Sequence, residues 1–208
     1  MKRCFKGPIV EIFEAASLLS NAADAHLAGN PDQAATLLVQ ADLPAISAWT
    51  ESIWGKSNPE IHWKIAQADP LPFLSQALRP QPRMPGAALQ REIIRRDGYH
   101  CRFCGIPVVP SKIRQKLARL YPESVRWGRR NHDQHAALQC MWLQFDHLIP
   151  NQRGGASTLE NLIITCAPCN FGRMEQTIEE VGLLNPFNRD IVASWPGFDR
   201  WDGLTRLF

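Results

Sequence analysis

Four of the six cysteines form two Cys-x-x-Cys pairs, Cys101 with Cys104 and Cys166 with Cys169. Together they supply four thiolates, the number that a tetrahedral structural zinc ion binds at Zn–S distances of about 2.3 Å. A redox-active dithiol is the alternative for either pair alone, but it would need an exposed helix start in a thioredoxin-like βαβ unit, which this sequence does not offer. We therefore predict one closed zinc site that leaves no ligand position for a catalytic water.

The two remaining cysteines, Cys4 and Cys140, are expected to be unreactive thiols. The sequence starts with the basic residues Lys2 and Arg3, but no continuous apolar stretch typical of a secretory signal follows them. No apolar run approaches the roughly 18 residues that span a bilayer. We therefore expect a cytoplasmic protein with no membrane association.

The segment between the two cysteine pairs combines polar and apolar residues in a recognisable order. It reads QFDHLIP at 144–150, GG at 154–155 and LENLI at 159–163, and the second pair opens CNFGR at 169–173. Residues 91–175, roughly two-fifths of the chain, resemble the HNH nuclease family. That family has an Asp-His pair at the end of one strand, a glycine-bearing loop, an Asn-Leu pair opening a second strand, and a Cys-x-x-Cys pair followed by His or Asn at a helix start.

This resemblance implies a site for phosphodiester hydrolysis. His147 would be the general base, and an imidazole with an ordinary pKa near 6.5 suits that role near neutral pH. Asp146 and Asn170 would hold a divalent cation, for which oxygen ligands favour Mg²⁺ or Mn²⁺. Asn161, the middle residue of the motif, would support the loop that orients His147.

Two features depart from the family pattern. Asn170 stands where the family name implies histidine, and related nucleases with asparagine there use an Asp/Asn pair to bind Mg²⁺ or Mn²⁺. The interval from Cys104 to Asp146 is also long, so we interpret residues 106–140 as an insertion.

The insertion carries much of the positive charge of a chain whose formal net charge is +3. Residues 111–130 contain seven Lys or Arg side chains and a single acidic residue. Beside a nuclease site such a run indicates contact with the phosphate backbone, although it is also typical of a solvated helix face. The predicted nucleic-acid contacts are Lys112, Arg114, Lys116, Arg119, Arg129, Arg130 and, after the second cysteine pair, Arg173.

The residues before this region predict a helical bundle. Apolar residues at three- and four-residue steps indicate helices over 8–28, from Pro31 to Ala41, from a cap at Asp42 to Trp54, and from Asn58 to Gln67. Five prolines between residues 70 and 85 indicate a stiff connector. We expect an α+β protein with a helical N-terminal bundle at 1–69, a Pro-rich linker at 70–85 and a zinc-stabilised ββα-metal (HNH) nuclease domain at 86–208. Aromatic residues between Ile191 and Phe208 are expected to pack across the nuclease core.

Two functions from different classes are compatible with these residues. The first is a metal-dependent endonuclease, with DNA as the expected substrate although the sequence leaves RNA open. The second is a catalytically inactive zinc-containing module that binds nucleic acid. The presence of a base and both metal ligands favours the endonuclease. The sequence also leaves open a homodimer or a protein partner that binds through the N-terminal helices.

Overall fold

The computed structural model describes residues 1–54, 69–190 and 198–208. The fourth predicted helix, from Asn58 to Gln67, therefore lies outside the described residues. Within the described ranges, no helix combines the length and apolar character needed to cross a bilayer.

The N-terminal region is helical, as predicted. It contains α1 (Val10–Leu27), α2 (Pro31–Gln40) and α3 (Pro44–Trp54). Pro31 occupies the first turn of α2, where its missing N–H removes no helical hydrogen bond. The apolar residues of α1 lie at helical spacing and are buried, among them Ile12, Ala16, Leu19 and Ala23.

The predicted cap of the third helix is wrong. Asp42 lies two residues before the first helical residue, Pro44, and its side chain has another role. Its carboxylate accepts a hydrogen bond of 2.7 Å from the backbone N–H of Ala136 and forms an ion pair with Arg126. Asp42 therefore ties the N-terminal helices to the predicted insertion.

The remaining elements form a small ββα unit with helices around it. Strands β1 (Leu143–His147) and β2 (Leu162–Cys166) are antiparallel, and Asp146 lies opposite Ile163 in the register. The zinc-stabilised ββα arrangement requires a helix directly after the second strand, and the structure has one. The helices of this part are α4 (Ala87–Asp97), α5 (Ser111–Leu120), α6 (Ala136–Cys140) and α7 (Ala167–Arg173).

The outer edge of β2 is covered by the end of α4. The buried carboxylate of Asp97 accepts a 3.0 Å hydrogen bond from the backbone N–H of Ile164. The carbonyl of Ile164 accepts a 2.8 Å hydrogen bond from the backbone N–H of Arg102. Arg96 pairs with Asp97 at 2.7 Å, which neutralises the buried carboxylate. These contacts fix α4 against the sheet.

The N-terminal helices and the ββα unit share buried apolar residues. Helix α3 packs against α6 and α7, and a side chain at Gly172 of α7 would place its Cβ 2.7 Å from Ile53 Cγ2. The imidazole Nε2 of the buried His135 lies 2.8 Å from the Leu38 carbonyl of α2. The division of the chain at 1–69, 70–85 and 86–208 stays a prediction.

The C-terminal residues 198–208 lie against both parts of the structure. Trp201 Nε1 donates a 2.9 Å hydrogen bond to the Val108 carbonyl, and the Phe198 ring lies 6.1 Å from the Phe13 ring of α1. The tail was predicted to pack across the nuclease core, and in the structure it also contacts α1. Residues 191–197 of that tail lie outside the described residues.

Candidate active site and zinc site

The four predicted zinc ligands lie together in the interior. The Sγ atoms of Cys101, Cys104, Cys166 and Cys169 all lie within 4.8 Å of one another, and the four residues are buried. The Cys104 and Cys166 sulfurs are 3.7 Å apart. A tetrahedron with Zn–S bonds of about 2.3 Å has S–S edges of about 3.8 Å, so this spacing fits a zinc ion.

Local backbone geometry explains why the cysteines converge. The first pair closes a turn in which the Gly105 N–H donates to the Cys101 carbonyl at 2.8 Å, with Gly105 at a φ of 82°. That positive φ is readily available to glycine and rare for other residues. The second pair spans the junction of β2 and α7, with Cys166 at the helix start. A zinc ion held here would fasten this turn to the strand–helix junction.

The three predicted catalytic side chains line one cavity. Asp146 and His147 end β1, Asn170 lies in α7, and all three face a cavity of about 270 Å³. The antiparallel pairing of β1 with β2, and the start of α7 directly after β2, bring residues 23 or more positions apart to one place.

The segment that contains these side chains matches a known family. Residues 128–173 match the model of the HNH endonuclease family. This chain carries an HNH domain. The match covers both strands and α7, and therefore includes Asp146, His147, Asn161 and Asn170. Comparisons with curated proteins and with solved structures gave no match.

The HNH domain holds the His147 ring through Ser157. His147 Nε2 lies 3.0 Å from Ser157 Oγ, and that hydroxyl donates to the Arg83 carbonyl at 2.7 Å. A serine hydroxyl has a single proton, so Ser157 must accept from Nε2–H. The ring then carries its proton on Nε2 and its free lone pair on Nδ1.

The surroundings of His147 keep its ring neutral. Burial, and after it the positive charges of Arg173 and Arg83, together lower the pKa of His147 to about 4. A neutral imidazole can accept a proton, so this ring has the protonation state of a base at neutral pH. Sequence reasoning missed Ser157, because a serine ten residues from the histidine has no distinguishing pattern.

Asn161 holds the loop that follows His147. Its Oδ1 accepts from the Ile149 N–H at 2.8 Å, and its Nδ2 donates to the carbonyls of Ile149 and Ala156 at 3.1 and 2.9 Å. Gly155 lies within this loop, where an added Cβ would be 1.7 Å from the Ile149 oxygen. Asn161 thus contacts backbone and does not line the cavity, and its supporting role stays a prediction.

Arg173 is placed differently from the predicted surface contact with phosphate. Only 1% of its side chain is exposed, and its guanidinium forms an ion pair with Asp146. It also donates to the carbonyls of His147, Leu148 and Gln176. Burial raises the pKa of Asp146, and the positive charge of Arg173 opposes that rise. The first role of Arg173 is therefore to hold the end of β1 against α7.

The oxygen donors of the cavity fit a hard divalent cation. An ionised carboxylate offers about four lone-pair positions, so Asp146 can accept from Arg173 and still bind a cation. Asn170 uses its Nδ2 for a 3.4 Å hydrogen bond to Gln144 Oε1, which leaves its own oxygen available. A carboxylate and an amide oxygen are donors that Mg²⁺ and Mn²⁺ accept.

The basic residues of the insertion are divided between buried and exposed positions. Arg114 is buried, with its guanidinium 3.6 Å from the Trp127 ring centre and 4.4 Å from that of Trp142. Lys116 lies 3.2 Å over the Phe208 ring. A direct contact of Arg114 with nucleic acid would require its stack to open. The exposed members of the predicted set are Lys112, Arg119, Arg129 and Arg130.

Proposed function

We propose that the protein is a metal-dependent endonuclease that hydrolyses phosphodiester bonds in DNA. The HNH domain supports a nuclease role in general. One observation carries the finer proposal: a neutral imidazole with a free Nδ1 shares a cavity with two oxygen donors, Asp146 and Asn170.

In this proposal His147 accepts the proton of the attacking water at Nδ1, while Ser157 holds the opposite nitrogen. Asp146 and Asn170 would hold Mg²⁺ or Mn²⁺, which when bound stabilises negative charge on phosphate oxygens. Arg173 keeps the Asp146 carboxylate in place, and Asn161 fixes the loop behind His147. A zinc ion held by the four cysteines would maintain the β2–α7 junction that places Asn170.

The ion pair between Asp146 and Arg173 favours a second candidate, a zinc-containing module that binds nucleic acid without cleaving it. In that candidate the arginine would occupy the position at which a cation is expected. The two candidates differ in a measurable way, because only the endonuclease turns over substrate.

The test is cleavage of plasmid, linear duplex, single-stranded DNA and RNA with Mg²⁺, with Mn²⁺ and with a chelator. The endonuclease should cleave in a metal-dependent manner, and His147→Ala should reduce the rate by roughly 10²- to 10⁴-fold. His132→Ala is the matched control, because His132 is exposed and does not line the cavity. Unchanged cleavage by His147→Ala would overturn the assignment of the base, and binding without cleavage by the wild type would support the second candidate.

A further inference from the structure

The Pro-rich segment at 70–85 is attached to the loop that follows β1. The Leu74 N–H donates to the Gln152 carbonyl at 2.8 Å, and Asn151 Nδ2 donates to the Pro80 carbonyl at 2.9 Å. Farther along, the Arg83 carbonyl accepts the Ser157 hydroxyl at 2.7 Å. Three contacts therefore fix the backbone of this segment along its length. The sequence predicted only a connector. In the structure, the segment also forms part of the wall of the candidate active-site cavity.

Two arginines of this segment line the candidate active-site cavity. Arg79 and Arg83 share it with Asp146, His147 and Arg173. Arg173 already neutralises Asp146. Within the described ranges of the chain, no carboxylate forms an ion pair with the guanidinium of Arg79 or Arg83. The cavity wall therefore carries positive charge that no carboxylate in the described part of the chain pairs with.

The chemistry of these two groups fits a phosphate ligand. A guanidinium is planar and permanently charged, and it donates two parallel hydrogen bonds to phosphate oxygens. Arg79 uses its Nε for a 3.1 Å hydrogen bond to the Leu74 carbonyl, which orients the group and leaves its terminal nitrogens as donors. Arg83 is exposed, so it can reach a ligand at the mouth of the cavity.

We propose that Arg79 and Arg83 bind backbone phosphates of the nucleic acid that enters the cavity, so that the Pro-rich segment is part of the substrate-binding surface. The identity of the ligand rests on the proposed function. The location of the site rests on the placement of the segment, which is independent of whether the cavity is catalytically active.

The test measures binding of a fluorescent DNA duplex as a function of salt, with Ca²⁺ in place of Mg²⁺ so that cleavage does not interfere. Each phosphate contact contributes about 0.9 to the slope of log K against log salt concentration. Arg79→Gln/Arg83→Gln should therefore lower that slope by about 1.8. Between about 50 and 200 mM salt, the wild type should lose about 12-fold more affinity than the double variant.

The matched control is Arg91→Gln/Arg95→Gln, which removes the same charge from exposed positions of α4 that do not line the cavity. Its slope should stay close to that of the wild type. The single variant Arg83→Gln guards against misfolding, because this side chain is exposed, and it should lower the slope by about 0.9. Zinc content and thermal unfolding show whether each variant is folded.

Failure of this proposal and failure of the proposed function give different results. Suppose that the wild type cleaves DNA. If the Arg79/Arg83 variant then keeps its DNA affinity and salt slope, or if both double variants lose them equally, the proposed phosphate site is wrong and the proposed endonuclease activity stands. If the wild type binds DNA in an Arg79- and Arg83-dependent manner without cleaving it, the phosphate site stands and the endonuclease is wrong. A wild type that does not bind the duplex overturns the phosphate site.

Discussion

Replacing Arg173 by glutamine should destabilise the protein strongly, although the sequence alone suggested a surface contact. The substitution removes the partner of a carboxylate that is itself only 5% exposed. It also removes the donor to the carbonyls of His147, Leu148 and Gln176, which a glutamine is too short to replace together. Asp146 is then left as a buried charge without compensation.

The expected loss follows from the burial of this pair. Breaking a buried ion pair by removing one partner costs about 3–5 kcal/mol of unfolding free energy. In a protein of this size, 1 kcal/mol shifts the midpoint of thermal unfolding by about 2–4 °C, so the shift should be roughly 6–20 °C. Adding Asp146→Asn removes the buried negative charge that has lost its partner. The double variant should therefore lose about 1–3 kcal/mol less than the sum of the two single losses.

The assay is reversible unfolding in urea of the zinc-loaded wild type, both single variants and the double variant. Arg130→Gln is the control, because Arg130 pairs with Asp133 but its side chain is 75% exposed. Exposed pairs contribute about 0–1 kcal/mol. A loss for Arg173→Gln no larger than that of the control would refute the reasoning, and so would strict additivity with Asp146→Asn.

Three further predictions concern the zinc site, the orientation of the base and the effect of pH. Cys166→Ser should lose zinc and unfold at lower temperature, because a structural ion contributes to folding directly; a full equivalent of zinc in the variant would contradict this. Ser157→Ala should slow cleavage about fivefold at unchanged DNA affinity, the equivalent of one hydrogen bond of about 1 kcal/mol, and nitrogen NMR should show a change in the tautomer population of His147. An unaltered tautomer would argue against this role of the hydroxyl. Burial lowers the pKa of His135, so the unfolded chain takes up a proton at this ring at higher pH than the folded protein does. The free energy of unfolding should therefore decrease as the pH falls below about 6.5, by up to about 1.4 kcal/mol per pH unit. His135→Gln should reduce the slope of unfolding free energy against pH by about that amount, and an unchanged slope would contradict this role of the buried ring.

Features that depend on local pattern could be predicted from the sequence. The spacing of Cys101, Cys104, Cys166 and Cys169 predicts one metal site because Cys-x-x-Cys turns bring two thiolates together whatever surrounds them. The periodicity of α1 predicts its helix for a similar reason, since burial of one face follows from the 3.6-residue repeat.

Features that depend on partners distant in the sequence could not be predicted from it. Arg173 and Arg114 have the same charge as a surface arginine, but their environments come from Asp146, 27 residues away, and from Trp127 and Trp142. Charge alone does not reveal burial. The proline content of residues 70–85 predicts stiffness, and stiffness does not say which surface the segment contacts.

The contacts around Ile164 also bear on how copies of this chain meet one another. A two-stranded ribbon normally exposes unpaired peptide groups along its border, and such a border invites strands of neighbouring molecules. At Ile164 in the centre of β2, the Asp97 carboxylate already accepts a hydrogen bond from the backbone N–H, and the backbone N–H of Arg102 already donates one to the carbonyl oxygen. A foreign strand would have to displace both, so Asp97 protects this small ribbon from growing into an intermolecular sheet.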